Sequence, residues 1–347
     1  MVSQRLSLKC FRYCGQTSDL LARTAASLLM AQLCQPVWAS TEASELTSEV
    51  ISSERRESYV ARTARQFAES TIEFTRSVSN APIPPLAYLG STYYGEAMVL
   101  DPESGDEIEN YSQQSTTQAA GVPFLLSSTD AIVLGEYVSH SNFKVDGGDD
   151  FSVTSVGVGG AWLTQYSDDV QLAAFVMPVW HHSTQERGSD YWQTMGGAFA
   201  RYTASDDVWW AFGLFVDASE VNSYALPYVG ASWQLSSEWS ISAIMPWPSV
   251  NYAPNDDEFY SFGAIFSGAA WALDQESGQI GLDLSGFDLG FTAQRRLFGV
   301  LWGGLSLGVG GLRALAIYED GVELPSFDVS RSPYFNLNLT LRPDANL

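Results

Sequence analysis

The chain has 347 residues, 16% of them charged and 13% aromatic, with 29 glycines and 11 tryptophans; that balance suits neither a disordered chain nor an ordinary helical enzyme. Its formal net charge of −23 makes nucleic acid a poor partner. Length alone leaves the number of domains open.

The first segment carries Arg5, Lys9, Arg12 and Arg23, then the apolar run TAASLLMAQLC, then Val37, Trp38 and Ala39. A basic region, an apolar stretch and a small-residue site predict a secretory signal over residues 1–39, removed near Ala39. A lipid anchor at Cys34 is the rival reading, disfavoured because Leu33 stands where a small residue is expected. Cys10, Cys14 and Cys34 all fall inside this segment, so the mature protein is expected to hold no thiol, disulfide or cysteine-ligated metal. Removal leaves 13 basic against 39 acidic residues, a net of −26. Beyond the signal no uninterrupted apolar run reaches the roughly 20 residues a spanning helix needs. If the mature chain crosses a membrane, strands must carry it, because only helices and closed barrels satisfy every backbone polar group there.

Residues 40–85 form a polar leader in which Val50, Ile51, Tyr59, Val60, Phe67, Ile72 and Phe74 make a weak, partly helical stripe. A periplasmic or disordered leader is the plain reading, and a plug entering a barrel the sharper one. Pro82, Pro84 and Pro85 break any helix and mark the boundary of a β domain over 86–347.

From Leu86 the chain becomes a series of runs near 88–98, 115–126, 130–143, 151–165, 170–182, 191–204, 208–218, 225–236, 239–252, 259–273, 281–295, 298–318 and 332–342. Most are as long as tilted membrane strands. The clearest alternation lies in LPYVGASWQLSSEWSISAIMPWPSVNY. There Val229, Ala231, Trp233 and Leu235 oppose Tyr228, Gly230, Ser232 and Gln234, and after a turn Trp239, Ile241, Ala243, Met245 and Trp247 share one side. This reads as one hairpin with an oily face and tryptophan at both edges, as lipid outside and a lumen inside require. Phe335, Leu337, Leu339 and Leu341 likewise oppose Tyr334, Asn336, Asn338 and Thr340, and Phe287, Leu289 and Phe291 oppose Asp288, Gly290 and Thr292.

Connections at 166–169, 204–207 and 236–238 are tight, whereas 99–114, 144–150, 181–190 and 251–258 read as longer loops, the habit of outer-membrane barrels. Thirteen runs break the even count such barrels require. Either 88–98 or a mis-split between 281 and 318 is suspected, and about twelve strands are expected. VQLAAFVMPVW and VWWAFGLFV are apolar on both sides and suit a sandwich core as well, so a soluble secreted β-sandwich stays as an alternative.

Through the stretch above, FYSFGAIFSGAAWAL, FDLGFTAQRRLFGVLWGGLSLGVGG and SPYFNLNLTL, roughly the last two thirds of the mature chain resemble a family of bacterial outer-membrane β-barrel proteins of unassigned function. The resemblance implies an all-β, transmembrane, antiparallel up-and-down barrel in a Gram-negative-type outer membrane. Outer-membrane lipid and lipopolysaccharide would surround it and the outer-membrane assembly machinery would insert it. No catalytic residue and no cofactor come with it. One departure is the polar tail after Arg342, where many such proteins end on an aromatic residue.

Three groups of residues could carry chemistry. His181, Ser183 and Glu186 follow one strand, with His140 near the end of another, and a serine, a histidine and a carboxylate at one rim could form a lipid hydrolase of the deacylase or phospholipase kind. Their plainer reading is polar residues above an aromatic belt. DPESGDEIE at 101–109, DGGDD with Asp146, Asp149 and Asp150, and NDDE at 255–258 offer oxygen ligands without EF-hand order, and read first as a solvated acidic rim. Glu136, Gln193, Arg201, Gln234, Asp288, Gln294 and Arg313 are expected to face the lumen, because a charge turned to lipid costs about 2–4 kcal/mol for arginine at the midplane. The expectation is a non-enzymatic barrel that passes or binds a small solute or serves the envelope structurally.

Overall fold

The computed structural model describes residues 80–342 apart from Ile83, 220–222, 276–277 and 320–321, together with Gln66. The signal segment and the leader stripe lie outside the described residues.

Period-two alternation runs through fourteen strands of seven residues or more among the described residues: β1 Ala87–Leu100, β2 Glu107–Leu125, β3 Asp130–Val145, β4 Phe151–Gln165, β5 Val170–Ser183, β6 Tyr191–Ser205 and β7 Val208–Ser219. They continue as β8 Ser223–Gln234, β9 Trp239–Met245, β10 Ser249–Asn255, β11 Glu258–Gln275, β12 Gly278–Phe298, β13 Leu301–Glu319 and β14 Ser332–Leu341. Each pairs antiparallel with the next, and β14 returns to β1 through eight consecutive pairs from Ala87↔Leu341 to Tyr94↔Tyr334. A closed barrel results, with no outer edge at this seam. The two ends of the barrel, at Leu86 and Arg342, lie at one rim, called the near rim below.

Several expectations are corrected. The strand number is fourteen, and the run read as one strand over 239–252 is two: β9 and β10 fold back on each other around Met245, Pro246, Trp247 and Pro248. Met245 and Trp247 keep the alternation in the sequence, but Pro246 and Pro248 have no N–H to continue a ladder, and Trp247 donates its own to Ile244 O at 2.8 Å to close the turn. The run at 88–98 is β1. The supposed long loop at 251–258 is strand plus a two-residue turn at the near rim. The two-layer sandwich is also overturned, because a single sheet closes on itself.

Leu337 and Leu289 point outward and are 56% and 51% exposed, while Tyr334, Asn336, Asn338 and Thr340 are buried on the inner side. The apolar face therefore meets the surroundings, as in a membrane barrel of the outer-membrane type. Outward rings border it. Trp239, Tyr252, Tyr260 and Phe291 follow one another at centroid spacings of 4.5, 6.1 and 6.1 Å toward the near rim. On β6, exposed Trp192 and Tyr202 stand ten residues apart, which at the rise and tilt of a barrel strand is about 25 Å, the height of a lipid-facing band.

At the far rim the ends of β11 and β12 leave the wall and reach across the lumen. Trp271 lies 5.5 Å from both Phe143 and Phe151, on β3 and β4 of the opposite wall. Leu273, Ile280, Leu282 and Leu284 join Phe143, Val145, Phe151 and Val153 in one buried apolar cluster. Trp271 donates its indole N–H to Gln185 Oε1 at 2.8 Å, and Gly188–Ser189 pairs with the edge of β11 at Leu273 and Ala272. This cluster caps the far mouth.

Candidate functional site

The lumen below the cap is the site, and its two sides differ. On the side of β1 and β11–β14, Arg313 donates to both Asp288 oxygens, Nη2 lying 3.1 Å from Oδ1 and 3.3 Å from Oδ2. The Tyr94 hydroxyl donates to Asp288 Oδ2 at 2.6 Å, the guanidinium sits 3.8 Å over the Tyr94 ring, and a further N–H reaches Ser267 Oγ at 3.1 Å. Arg313 faces inward because β13 carries an extra residue. Phe287 pairs with Leu312 and Asp288 with Gly310, so Gly311 bulges and shifts the alternation. Without the bulge the arginine would point at lipid.

An asparagine row continues from this cluster. Asn338 donates to Asn336 Oδ1 at 2.7 Å, and Asn336 donates to Thr92 at 2.8 Å and to the Tyr88 hydroxyl at 3.1 Å. Gly290 and Gly308 on the adjoining strands leave room for the Tyr334 ring, into which a Cβ at either position would run. Together these groups border a cavity of about 440 Å³. Two polar atoms behind its wall, Tyr334 Oη and Asn338 Oδ1, are buried with no hydrogen-bond partner among the described residues.

The side formed by β5–β8 is lined with rings. Phe175 and Phe199 stack at 6.0 Å, Phe199 meets Tyr228 edge-on at 5.1 Å, Phe215 touches Phe175 and Tyr224 at 6.2 Å each, and Trp247 lies 5.7 Å from Tyr228. Above them a polar chain ties four strands together. Ser155 Oγ is 2.8 Å from His181 Nδ1, His181 Nε2 is 2.7 Å from Gln193 Oε1, and Gln193 donates to Asp217 Oδ2 at 2.6 Å.

His181 and Ser183 share the inner face of β5, but both ring nitrogens of His181 are engaged with Ser155 and Gln193. Ser183 Oγ accepts from the backbone of Gln185, and Glu186 lies exposed on the following loop. The three are not brought into a nucleophile–base–acid geometry. His140 faces outward against Thr154 at 2.9 Å, and His182 pairs with Asp190 at 2.6 Å. Asp146, Asp149 and Asp150 are exposed, with Asp150 accepting from the Val145 N–H at 3.2 Å. Among the described residues no three histidine, cysteine or acidic side chains converge on a metal position.

Of the lumen candidates, Asp288 and Arg313 meet each other, and Gln193 sits in the polar chain. Gln294 accepts from Arg342 at 2.7 Å, Arg201 lies 4.7 Å over the Trp209 ring, and Gln234 donates to Trp239 O at 3.2 Å by the near rim. Glu136 is the exception and a correction: it faces out. It pairs across β3–β4 with Val158, which is 68% exposed, and accepts from Gln118 Nε2 at 2.7 Å on the outer wall. Tyr94, the ring cluster and the cap are not singled out by the sequence; Asn336 and Asn338, which alternation already sets opposite the apolar face of the last strand, are not among its lumen candidates.

No protein-family model matches the chain, and no curated protein matches it. Solved structures with some likeness include a Pseudomonas aeruginosa FadL homologue, at 11% identity and TM-score 0.42, covering 82% of this chain and 98% of that one. The Pseudomonas putida toluene transporter TodX follows at 10% identity and TM-score 0.35, covering 76% and 90%, and LpxR from Salmonella typhimurium at 8% and 0.33, covering 74% and 99%. Likeness at this level assigns no substrate or activity.

Proposed function

We propose that the protein is a non-enzymatic barrel of the outer membrane that binds and passes small, uncharged, polar solutes. The carrying observation is the lumenal cavity of about 440 Å³. Its border combines hydroxyl and amide groups such as Thr92, Gln113, Ser115, Asn336 and Asn338 with the apolar side chains of Ile265, Phe266 and Leu284, and among the described residues its one ion pair, Arg313 with Asp288, is internally balanced. A wall without net charge offers an ion no compensation for lost hydration, whereas hydroxyls and amides replace the water around a neutral hydrogen-bonding molecule. The apolar cap around Trp271 is the gate of this reading, and it must part for solute to cross.

In this reading outer-membrane lipid surrounds the belt, lipopolysaccharide meets the far rim, and the assembly machinery inserts the chain with its near rim toward the periplasm. The test is uptake into proteoliposomes. A labelled monosaccharide should accumulate faster than a carboxylate of similar size, and Asn336→Leu should slow the sugar. Sugar uptake no faster than in protein-free vesicles would refute the proposal.

A further inference from the structure

The barrel wall is not continuous everywhere. Between β8 and β11 stands only the short β9–β10 hairpin, which pairs with Val229–Gln234 of β8 and with β11 as far as Gly263. Beyond the hairpin tip, where Ala264 still donates its N–H to Pro248 O at 3.0 Å, β8 from Ser223 to Tyr228 and β11 from Ile265 to Trp271 have no ladder partner on their facing sides among the described residues. The side chains confirm the parting. Trp271 and Leu282 belong to the cap and Ala270 pairs with Asp283 at the next register position, on the other face of the β11–β12 tip; Ala270 and Asp283, with the edge of Leu282, share a small pocket with inward-facing Gln193, Asp217 and Tyr224. The inner face of β6–β8 therefore looks at the outer face of β11–β12, and a slit runs between them.

This slit opens at belt height. Leu214 and Val216 of β7, opposite Pro227 and Ala225 of β8, are exposed apolar residues of the outer wall, and exposed Val229 and Phe266 flank the opening. Pro227 has no N–H to leave unsatisfied at such an edge. At membrane depth an open sheet edge is tolerated only beside a protein-lined or water-filled space, so the discontinuity is a mouth rather than a flaw. Immediately inside it stand Tyr228, Phe199, Phe215 and Trp247. Apolar surface is thus continuous from the lipid belt to the ring-lined half of the lumen, while the polar cavity lies against the other half.

We propose that this slit admits an acyl chain of a surrounding membrane lipid, which lodges against Phe199, Phe215 and Tyr228. The occupant follows from position and surface: the mouth faces hydrocarbon, and the lining is carbon and ring faces. The inference rests on the membrane reading of the belt and is independent of sugar passage.

The test uses the full barrel in vesicles containing a phospholipid with a diazirine in its acyl chain, followed by photolysis and mapping of the adducts. Adducts on the inward residues Phe199, Phe215 and Tyr228 are expected alongside those on outward Leu214 and Val216. In Phe215→Gln the inward labelling should fall about tenfold, the share one buried aromatic ring contributes to a partition equilibrium. The outward adducts in the same sample should stay constant and report that the barrel is intact. Labelling confined to outward residues would overturn the proposal, whatever the sugar assay shows. Inward labelling unchanged by Phe215→Gln, with outward adducts constant, would also overturn the assignment of the rings as the chain's seat.

Discussion

The two sides of the lumen line one space with opposite materials. On the side of β1 and β11–β14 one ionic cluster anchors an amide row, and Arg313 and Asp288 are 7% and 2% exposed. On the side of β5–β8 rings touch at 5.1–6.2 Å and remain half-buried. The difference concerns tolerance. A charge cluster is stable only while every partner is present, because one orphaned buried charge costs more than the pair contributes. Contacts between rings are individually small and give way gradually.

The largest expected effect breaks the polar side. Arg313→Met strands the Asp288 carboxylate with the Tyr94 hydroxyl as its remaining partner, and should lower stability by about 3–5 kcal/mol. Adding Asp288→Leu should recover most of that loss, since an apolar pair of similar volume carries no desolvation penalty. Phe199→Ala, the matching change on the ring side, should cost only about 1–2 kcal/mol, because a half-exposed ring forfeits part of the burial of a core residue. Urea unfolding midpoints in lipid vesicles measure all four proteins. A double mutant no more stable than Arg313→Met would show that the cluster does not act through charge pairing.

A smaller effect on stability, with a larger one on passage, is expected at the cap shared by both sides. Trp271 fills the gap between β11 and the rings of β3 and β4 and holds Gln185. Trp271→Ala removes that volume at a cost of up to about 3 kcal/mol, the low end for tryptophan truncation because the cap lies at a rim. It should raise monosaccharide uptake into vesicles while the barrel stays folded. Uptake unchanged in a folded Trp271→Ala protein would show that the cap is not the barrier.

The contrast also explains what the sequence could disclose. β14 is legible because one of its faces is wholly polar, so the period of two assigns Asn336 and Asn338 to the lumen without coordinates. The strand count fails at Pro246, where Met245 and Trp247 keep an apolar parity across a turn. The bulge at Gly311 that turns Arg313 inward leaves no mark beyond one more glycine in a glycine-rich strand. Tyr94 and Asp288 are 194 residues apart and meet only because the wall closes. Trp271 looks like any lipid-facing ring in FYSFGAIFSGAAWAL, and its burial follows from β11 leaving the sheet.

Glu136 gives the smallest and most discriminating prediction. In AIVLGEYV both parities are apolar, so periodicity cannot assign a side, and cost alone would put the carboxylate inside. Strand register puts it outside with Leu134 and Val158, held by Gln118. Toward lipid a glutamate is less costly than the arginine value, but still unfavourable near mid-height. Glu136→Leu alone should change stability by less than about 1 kcal/mol, because relief of the carboxylate is offset by the orphaned Gln118 amide. Replacing both with leucine removes the two polar groups together and should stabilise the barrel by about 1–2 kcal/mol. The same double replacement at Asp288 and Arg313 gains far less, since those groups sit among matched donors and acceptors inside. Urea midpoints in vesicles decide between the two. A double Gln118→Leu/Glu136→Leu protein that unfolds more readily than the parent would mean that the outer pair touches something other than lipid.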